Sequence, residues 1–153
     1  MVSVVHRLFQ IIKPDRAYFG EKDYQQARIV EEMAGTRHLK VRIKTCPIVR
    51  AKDGLAMSSR NRYLSKNQRI RAGSIYQSLK EAKKMILTGE RNPLRVKAKI
   101  RLILEGHVDK IDYSAVANPE NLRSMKRIKL PVLVALACFV GRTRLIDNMV
   151  VKS

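Results

Sequence analysis

A strand–helix–strand pattern in the first third of the chain restricts the fold more than any other sequence feature. The segment RAYFG follows Pro14 and is typical of a short strand that ends at Gly20. A helical period then runs from about Asp23 to Gly35, and LKVRIKTCP alternates like a second strand until Pro47 stops it. Two strands joined through one helix form a βαβ unit, which implies a parallel sheet.

The segment before this unit predicts how much of a larger sheet is present. Residues 2–13 place apolar side chains at positions 4, 5, 8, 9 and 12, a helical period that Pro14 ends. No strand is predicted before this helix, although a doubly wound sheet needs several more. The chain is therefore expected to begin partway through an α/β domain.

Residues 49–153 follow an α+β pattern instead. A helical stretch at Leu64–Gly89 has Ser65 and Gln68 in capping-box spacing, and Asn92 and Pro93 begin another helix. Strands are predicted in KIDYSAVA, PVLVALACFV and TRLIDNMVV, with a tight hairpin between the last two and a short helix in PENLRSM. This region predicts a small, mostly antiparallel sheet.

The charge balance predicts an anionic partner without choosing one. The net charge is +19; residues 1–48 hold 9 basic and 5 acidic side chains, and residues 49–153 hold 23 and 8. Nucleic acid, a phosphate-bearing small molecule and a merely solvated basic surface all remain open. Only 5% of residues are aromatic, which disfavours a base-stacking platform and makes nucleic acid the weaker alternative.

Apolar segments and cysteines favour a cytoplasmic protein with no membrane partner. The longest apolar run, LPVLVALACFVG, is shorter than the ~20 residues that a membrane-spanning helix needs. The N-terminus has no secretory signal pattern. Cys46 and Cys138 have apolar neighbours and no partner at metal-ligand spacing, so both are interpreted as buried thiols.

The segment FGEKDYQQ lies where the first predicted strand becomes a helix. Ligands bind at such carboxyl ends in open α/β sheets, Gly20 permits close approach, and Lys22 supplies an ammonium group beside a helix start. The alternative is local: Asp23 and Gln26 also have the spacing of a capping box. Both interpretations remain open from this pattern.

The segment AMSSRN concentrates hydroxyl groups and positive charge. Ser58 and Ser59 supply donors, and the Arg60 guanidinium can bind two phosphate oxygens at once. The preceding Lys52-Asp53-Gly54 turn signal predicts that the loop moves. The spacing is not that of the Walker phosphate loop, and a solvated basic turn with a helix cap is the alternative.

Taken together, these segments resemble a known enzyme family. PDRAYFGEKDYQQ and PIVRAKDGLAMSSRNRYLS, followed by LTGER and TRLIDNMV, closely resemble the pantothenate synthetase (pantoate–β-alanine ligase) family over nearly the whole chain. The resemblance implies an adenylate-forming, AMP-producing ligase that uses ATP with Mg2+. Pantoate becomes pantoyl adenylate, and β-alanine then attacks it to give pantothenate.

The resemblance also implies roles for particular residues at the phosphates. AMSSRN is similar to the KMSKS loop of class I aminoacyl-tRNA synthetases, so Ser58, Ser59 and Arg60 would bind the β- and γ-phosphates of ATP. Lys22 would reach the phosphates as pyrophosphate leaves. These four residues are the expected catalytic group, because fixed donors aimed at developing charge contribute roughly 3–4 kcal/mol each.

The remaining contacts implied by the resemblance concern the rest of ATP and pantoate. Gly20 and Asp23 would contact the ribose, while Val49 and Met57 would line the adenine pocket. Gln26 would form a hydrogen bond with pantoate. No metal-ligating residue is expected.

One departure from the family pattern concerns the N-terminal side. The family has an HxGH-type motif whose histidines bind ATP phosphates, and no His-x-Gly-His occurs in this sequence. The chain is therefore expected to be the C-terminal portion, with residues 1–48 ending a Rossmann-like nucleotidyltransferase (HUP-type) domain and residues 49–153 forming an α+β lid. Its own activity is expected to be low without a missing N-terminal half, and the family's homodimer contact is expected mainly on the nucleotide-binding domain.

Two alternatives to the ligase remain from the sequence. One is a non-catalytic fragment that retains nucleotide affinity, and the other is a basic nucleic-acid-binding protein. Binding of Mg-ATP without ligation would favour the first, and a salt-dependent gel shift would favour the second.

Overall fold

In the computed structural model, which describes residues 2–153, the helices and strands fall into two units. The division lies between Ile48 and Val49, so that one unit spans residues 1–48 and the other residues 49–153. Each unit has its own sheet, and the two sheets differ in strand direction. No helix within residues 2–153 has the length and apolar character that crossing a bilayer requires.

The N-terminal unit is the predicted parallel βαβ arrangement with one helix before it. Its elements are α1 (Val2–Ile12), β1 (Arg16–Gly20), α2 (Tyr24–Thr36) and β2 (Arg42–Cys46). β1 and β2 pair in parallel, with Arg16 opposite Arg42 and Gly20 opposite Cys46. The prediction of a parallel strand pair joined through one helix is confirmed.

The two helices of this unit differ in how much apolar surface they bury. α2 buries Ala27, Val30, Met33 and Ala34, at helical spacing on one face. α1 buries no residue, although it is amphipathic, and its exposed apolar side chains are Val4, Leu8, Ile11 and Ile12. α1 therefore presents an apolar stripe at the surface.

The C-terminal unit is an antiparallel sheet with two packed helices. Its elements are α3 (Lys66–Leu87), α4 (Pro93–Leu104), β3 (Lys110–Ala117), β4 (Val132–Val140) and β5 (Thr143–Val151). The strand order is β3-β4-β5, all antiparallel. β4 and β5 are joined by Gly141 and Arg142 alone, and Gly141 has a φ of +58°. The predicted hairpin and antiparallel sheet are confirmed.

The core of this unit lies between the sheet and the helices. Every second residue of β4 belongs to the core, because successive side chains of a strand point to opposite faces of the sheet. They pack with apolar residues of α3 and α4, including Ile75, Leu79, Ile86, Ile100 and Leu104. Burying each such side chain contributes about 1.5–3 kcal/mol, so this core holds α3 and α4 against the strands.

The ends of α3 and α4 follow the predicted capping chemistry. The Ser65 Oγ accepts a hydrogen bond from the Gln68 backbone N–H at 3.2 Å, and the Gln68 side chain accepts from the Ser65 N–H at 2.9 Å. Gly89 follows α3 with a φ of +107°, and the Asn92 side chain caps α4. These side-chain bonds fix where the loop before α3 ends.

The predicted short helix in PENLRSM is wrong. The Asn118 Oδ1 accepts hydrogen bonds from the backbone N–H groups of Glu120 and Asn121, at 2.7 and 3.2 Å. Leu122 then adopts a φ of +59°, which a right-handed helix does not allow. The Asn121 Oδ1 also accepts from the Arg123 N–H at 3.0 Å, so the backbone forms a turn that does not continue as a helix.

The two cysteines lie in different environments, so the prediction of two buried thiols is wrong for Cys46. Cys138 is buried in β4, and burial raises the pKa of its thiol to about 12. Cys46 is exposed because β2 belongs to a two-stranded sheet whose strand buries no residue. The two thiols should therefore differ in reactivity, since the thiolate is the reactive form.

Thiol labelling is expected to modify one cysteine per folded chain. At pH 8, Ellman's reagent should react rapidly with Cys46, while Cys138 reacts only after denaturant is added. The Cys46→Ser variant serves as the control and should show no rapid reaction. Rapid modification of two thiols in the native wild-type chain would contradict the burial of Cys138.

Candidate nucleotide site

Four predicted ligand residues of the N-terminal unit lie at the carboxyl end of β1. Gly20 is the last residue of the strand, Lys22 and Asp23 lie in a short 3-10 turn, and Gln26 lies in the first turn of α2. The Lys22 Nζ is 4.0 Å from the Asp23 carboxylate, and the Asp23 side chain is 55% exposed. The unit thus gathers these groups at the edge where open α/β sheets bind ligands.

The capping-box alternative for Asp23 and Gln26 is wrong. Asp23 occupies the N-cap position of α2, but its side chain makes no capping hydrogen bond. The preceding 3-10 turn leaves Asp23 at φ −95° and ψ 54°, away from the extended geometry that a capping side chain needs. Its carboxylate is therefore not used to cap the helix.

In the C-terminal unit, the chain leading to AMSSRN folds back on itself. The Met57 N–H donates to the Val49 carbonyl at 2.9 Å, and the Ala51 N–H donates to the Leu55 carbonyl at 3.0 Å. Val49 and Met57 therefore lie side by side, with 65% and 58% of their surfaces exposed. These are the two residues predicted for the adenine pocket, and the structure places them together as one apolar patch.

The two serines and the arginine follow directly on this narrow loop. Ser58 caps a 3-10 turn at Ser59–Tyr63, and its Oγ accepts a hydrogen bond from the Arg60 N–H at 3.2 Å. The predicted helix cap is therefore present. It uses the serine oxygen as an acceptor, so the hydroxyl hydrogen can still be donated to an anion. Ser59 and Arg60 are exposed.

An ion pair that the sequence did not reveal holds the base of this loop. The Arg50 guanidinium donates two hydrogen bonds to the Asp147 carboxylate of β5, at 2.6 and 3.0 Å, and one to the Gly54 carbonyl at 3.1 Å. Only 2% of the Asp147 side chain is exposed. The guanidinium also lies over the Tyr76 ring of α3, 4.0 Å from its centre. The loop is therefore fixed to both β5 and α3.

The turn that was predicted to let the loop move has further contacts with α3. The Arg69 Nε donates to the Asp53 carboxylate at 2.7 Å. Gly54 has a φ of +83°, and a Cβ atom there would lie 2.5 Å from the Tyr76 Cδ1. Only glycine fits this conformation and this close approach. These contacts support a preformed loop.

A groove of about 850 Å³ lies next to the serine–arginine segment within the C-terminal unit. It is lined by Arg60, Tyr63, Gln68 and the four residues at positions 141–144. Three of the lining residues are arginines, at positions 60, 142 and 144. Among the described residues, the only carboxylate paired with one of these arginines is that of Asp112, which accepts from Arg144 at 2.9 and 2.7 Å.

The β4–β5 turn beside this groove is held by an acidic residue. The Asp109 carboxylate accepts from the Gly141 N–H at 2.6 Å and from the Arg71 guanidinium at 3.0 Å. These bonds, the Gly141 N–H first, lower the pKa of Asp109 below its ordinary value. The backbone N–H of Asn92 similarly lowers the pKa of Glu90. Both carboxylates therefore stabilise the fold in their ionised form.

Acid is expected to remove the contribution of Asp109. A carboxylate with a lowered folded pKa stabilises fully above its unfolded pKa of about 3.9 and loses this contribution as pH falls further. Asp109→Asn should therefore lower the melting temperature at pH 7, and the difference from wild type should shrink below pH 4. Glu105→Gln, which removes an exposed carboxylate, should have the same melting temperature as wild type at pH 7 and below pH 4. A deficit that persists undiminished at pH 2.5 would contradict this role of the charge.

The arrangement of the two units defines the class of protein to which the chain belongs. A Rossmann-like βαβ unit of the nucleotidyltransferase type is followed by an α+β unit with a small antiparallel sheet. The family model of pantoate-beta-alanine ligase matches residues 1–150. The chain belongs to this family.

Named relatives agree with this assignment. The pantothenate synthetase of Caldicellulosiruptor saccharolyticus is 48% identical over 153 residues, which cover 99% of this chain and 54% of the relative. That of Thermosipho melanesiensis is 46% identical over 149 residues, which cover 97% of this chain and 53% of the relative. The chain spans about half the length of the curated relatives it matches.

Solved structures give the same result for the fold. The crystal structure of pantothenate synthetase from Thermus thermophilus matches with a TM-score of 0.91 at 35% identity, covering 99% of this chain and 55% of that one. A pantoate-beta-alanine ligase from Francisella tularensis, complexed with beta-gamma ATP and beta-alanine, matches with a TM-score of 0.68 at 30% identity. The second match covers 97% of this chain and 48% of that one.

Proposed function

We propose that this chain carries part of the active site of an ATP-dependent ligase that joins pantoate and β-alanine to form pantothenate. Family membership supports the reaction. The observation that carries the site is the anchored loop, which presents Ser58, Ser59 and Arg60 directly after the Val49–Met57 apolar patch. An adenine ring and a polyphosphate need those two surfaces in that order.

The proposed reaction has two steps, adenylate formation and amide formation. A carboxylate oxygen of pantoate forms a bond to the α-phosphorus of ATP, while the bond from that phosphorus to the bridging oxygen breaks and pyrophosphate leaves with the electron pair. The β-alanine nitrogen then bonds to the acyl carbon of pantoyl adenylate. The acyl C–O bond breaks, AMP leaves, and the nitrogen loses a proton.

Charge stabilisation is the main task of the residues in the first step. Two anions approach each other, and negative charge moves onto the departing pyrophosphate. We assign Arg60, Ser58 and Ser59 to the β- and γ-phosphates and Lys22 to the phosphates as the bond breaks, because preorganised donors stabilise developing charge best. Gly20 and Asp23 contact the ribose in this proposal.

Substrate placement completes the proposal. Val49 and Met57 hold the adenine, and the Gln26 side-chain amide donates a hydrogen bond to pantoate. Exposed apolar surface at Val49 and Met57 supports the first assignment, since a stacked base would cover it. Asp23, which makes no capping bond, supports the ribose assignment.

Magnesium enters this proposal with the nucleotide. Within residues 2–153, no three His, Cys, Asp or Glu side chains are grouped so that they could hold a metal ion. Mg2+ prefers few protein carboxylates and several phosphate and water oxygens. We therefore assign no residue of this chain to the metal and derive no step through it.

The proposed partners of the N-terminal unit are the remaining part of a full-length enzyme and a second copy in a homodimer. The exposed apolar stripe of α1, defined by Val4, Leu8, Ile11 and Ile12, supports association of this unit with another surface. The cytoplasm, where ATP is supplied, is the proposed location.

Complementation tests the proposed function. The chain would be combined with the part of the C. saccharolyticus pantothenate synthetase that lies outside the matched region, and AMP release would be measured. We expect AMP formation that requires both pantoate and β-alanine. The chain alone and the complementing part alone serve as controls. A stable complex that binds Mg-ATP and forms no AMP would contradict the ligase and favour a nucleotide-binding protein without catalysis.

A further inference from the structure

The arginine-lined groove of the C-terminal unit is large enough to hold a small molecule. Its volume of about 850 Å³ lies within the range of ~300–1,000 Å³ of small-molecule sites. The proposed function uses only Arg60 of its lining. Tyr63, which also lines it, is an aromatic residue with 62% of its surface exposed.

The charges of the groove are unequally compensated. Arg144 is paired with Asp112, and the nearby Asp109 carboxylate is already bound by Arg71 and the Gly141 N–H. The side chains of Arg60 and Arg142 form no ion pair or hydrogen bond with another residue in the described part of the chain. Two uncompensated guanidinium groups therefore face one concave surface, which becomes positive.

The turn that carries Arg142 is also held in place. Gly141 has a φ of +58°, its N–H is bound by Asp109, and a Cβ atom there would lie 2.2 Å from the Gln68 Nε2. Gln68 is itself fixed by its hydrogen bond with Ser65. The position of the backbone at Arg142 is thus set by β4, β5 and the start of α3, which fixes the point from which its side chain reaches the groove.

We propose that this groove binds pyrophosphate, and that Arg142 is a second phosphate-binding residue beside Arg60. Two guanidinium groups that line one groove suit a diphosphate, because each guanidinium can bind two oxygens of one phosphate group. The role in catalysis rests on the proposed function: the groove would receive the pyrophosphate that leaves in the first step. The binding itself can be measured without catalysis.

Calorimetric titration of the full chain with inorganic pyrophosphate tests this proposal. Wild type should bind pyrophosphate, and added NaCl should weaken binding. Arg142→Ala should weaken it about tenfold, the loss expected for one charge-assisted contact. Arg142→Lys should recover part of the affinity. Arg101→Ala removes an exposed arginine of α4 outside the groove and should change the affinity less than twofold.

Two results would overturn the proposal. One is the absence of pyrophosphate binding to wild type at millimolar concentration. The other is an equal effect of Arg142→Ala and Arg101→Ala, which would mean that net charge alone matters. Loss of binding in Arg60→Ala combined with no effect of Arg142→Ala also counts against the groove and leaves the ligase proposal intact. AMP formation in the complemented enzyme, measured separately, decides the ligase proposal.

Discussion

Replacing Arg60 by alanine is expected to lower AMP formation in the complemented enzyme by about 10²–10³-fold, the usual cost of losing one preorganised donor at developing charge. Arg60 is exposed on the Ser59–Tyr63 turn and has no side-chain partner among the described residues. Its loss should therefore leave folding intact and act on the reaction. Stopped assays of AMP release at saturating pantoate and β-alanine measure the effect.

Arg62 provides the matched control for Arg60. It lies two residues further on in the same turn, and its guanidinium contacts the Tyr63 hydroxyl at 2.7 Å. Arg62→Ala should change the rate by less than threefold and the melting temperature by as little as Arg60→Ala does. Equal losses of activity in both variants would show that the turn contributes general positive charge, against the proposed role of Arg60.

Removing Arg50 is expected to destabilise the C-terminal unit by about 3–5 kcal/mol, the cost of leaving a buried charge without its partner. Asp147 is 2% exposed and accepts both guanidinium bonds. Arg50→Ala also removes the contacts with the Gly54 carbonyl and the Tyr76 ring. Urea unfolding monitored by circular dichroism gives the free energy of unfolding.

A second arginine–aspartate pair, which joins the same loop to α3, is the control. Arg69 and Asp53 meet at 2.7 Å, but their side chains are 42% and 38% exposed. Exposed pairs contribute about 0–1 kcal/mol, so Arg69→Ala should cost far less than Arg50→Ala. Similar costs for the two variants would contradict the anchoring role of Arg50. The double variant Arg50→Met, Asp147→Leu should recover much of the lost stability, since it leaves no unpaired charge.

Local chemistry made most of the fold predictable. Ser65 and Gln68 form the capping box that their spacing predicted, and the two-residue turn at Gly141 joins strands whose alternation was visible. The strands and helices were also bounded by Pro14, Pro47 and Gly89. In each case the deciding interaction lies within about four residues, which is the range that a sequence pattern reports.

The predictions failed in two situations. In one, a side chain formed hydrogen bonds with the backbone that the pattern did not reveal, and in the other, no packed element covered a strand. In PENLRSM, Leu122 adopts a positive φ and the Asn121 side chain accepts from the Arg123 N–H, so the first turn is not continued as a helix. Cys46 lies in an alternating strand, yet its two-stranded sheet does not bury it. Whether a strand is covered depends on packing that its own residues do not encode.

The residues that hold the candidate site in place were the hardest to predict from the sequence. Arg50 and Asp147 are separated by 97 positions, and nothing in either segment shows that they pair. The one available signal was an acidic residue inside TRLIDNMVV, a strand otherwise suited to the core, because a buried carboxylate requires a partner. Ser58 to Arg60 could be selected by residue type, whereas the residues that position them could not.

We propose that Lys22 and the Ser58–Arg60 segment bind the same triphosphate. A crystal structure of the complemented enzyme with Mg2+ and a non-hydrolysable ATP analogue tests it most directly. We predict that the Lys22 Nζ and the Arg60 guanidinium both lie within about 3.2 Å of phosphate oxygens of one nucleotide. A bound nucleotide whose phosphates contact only one of these two side chains would contradict the account.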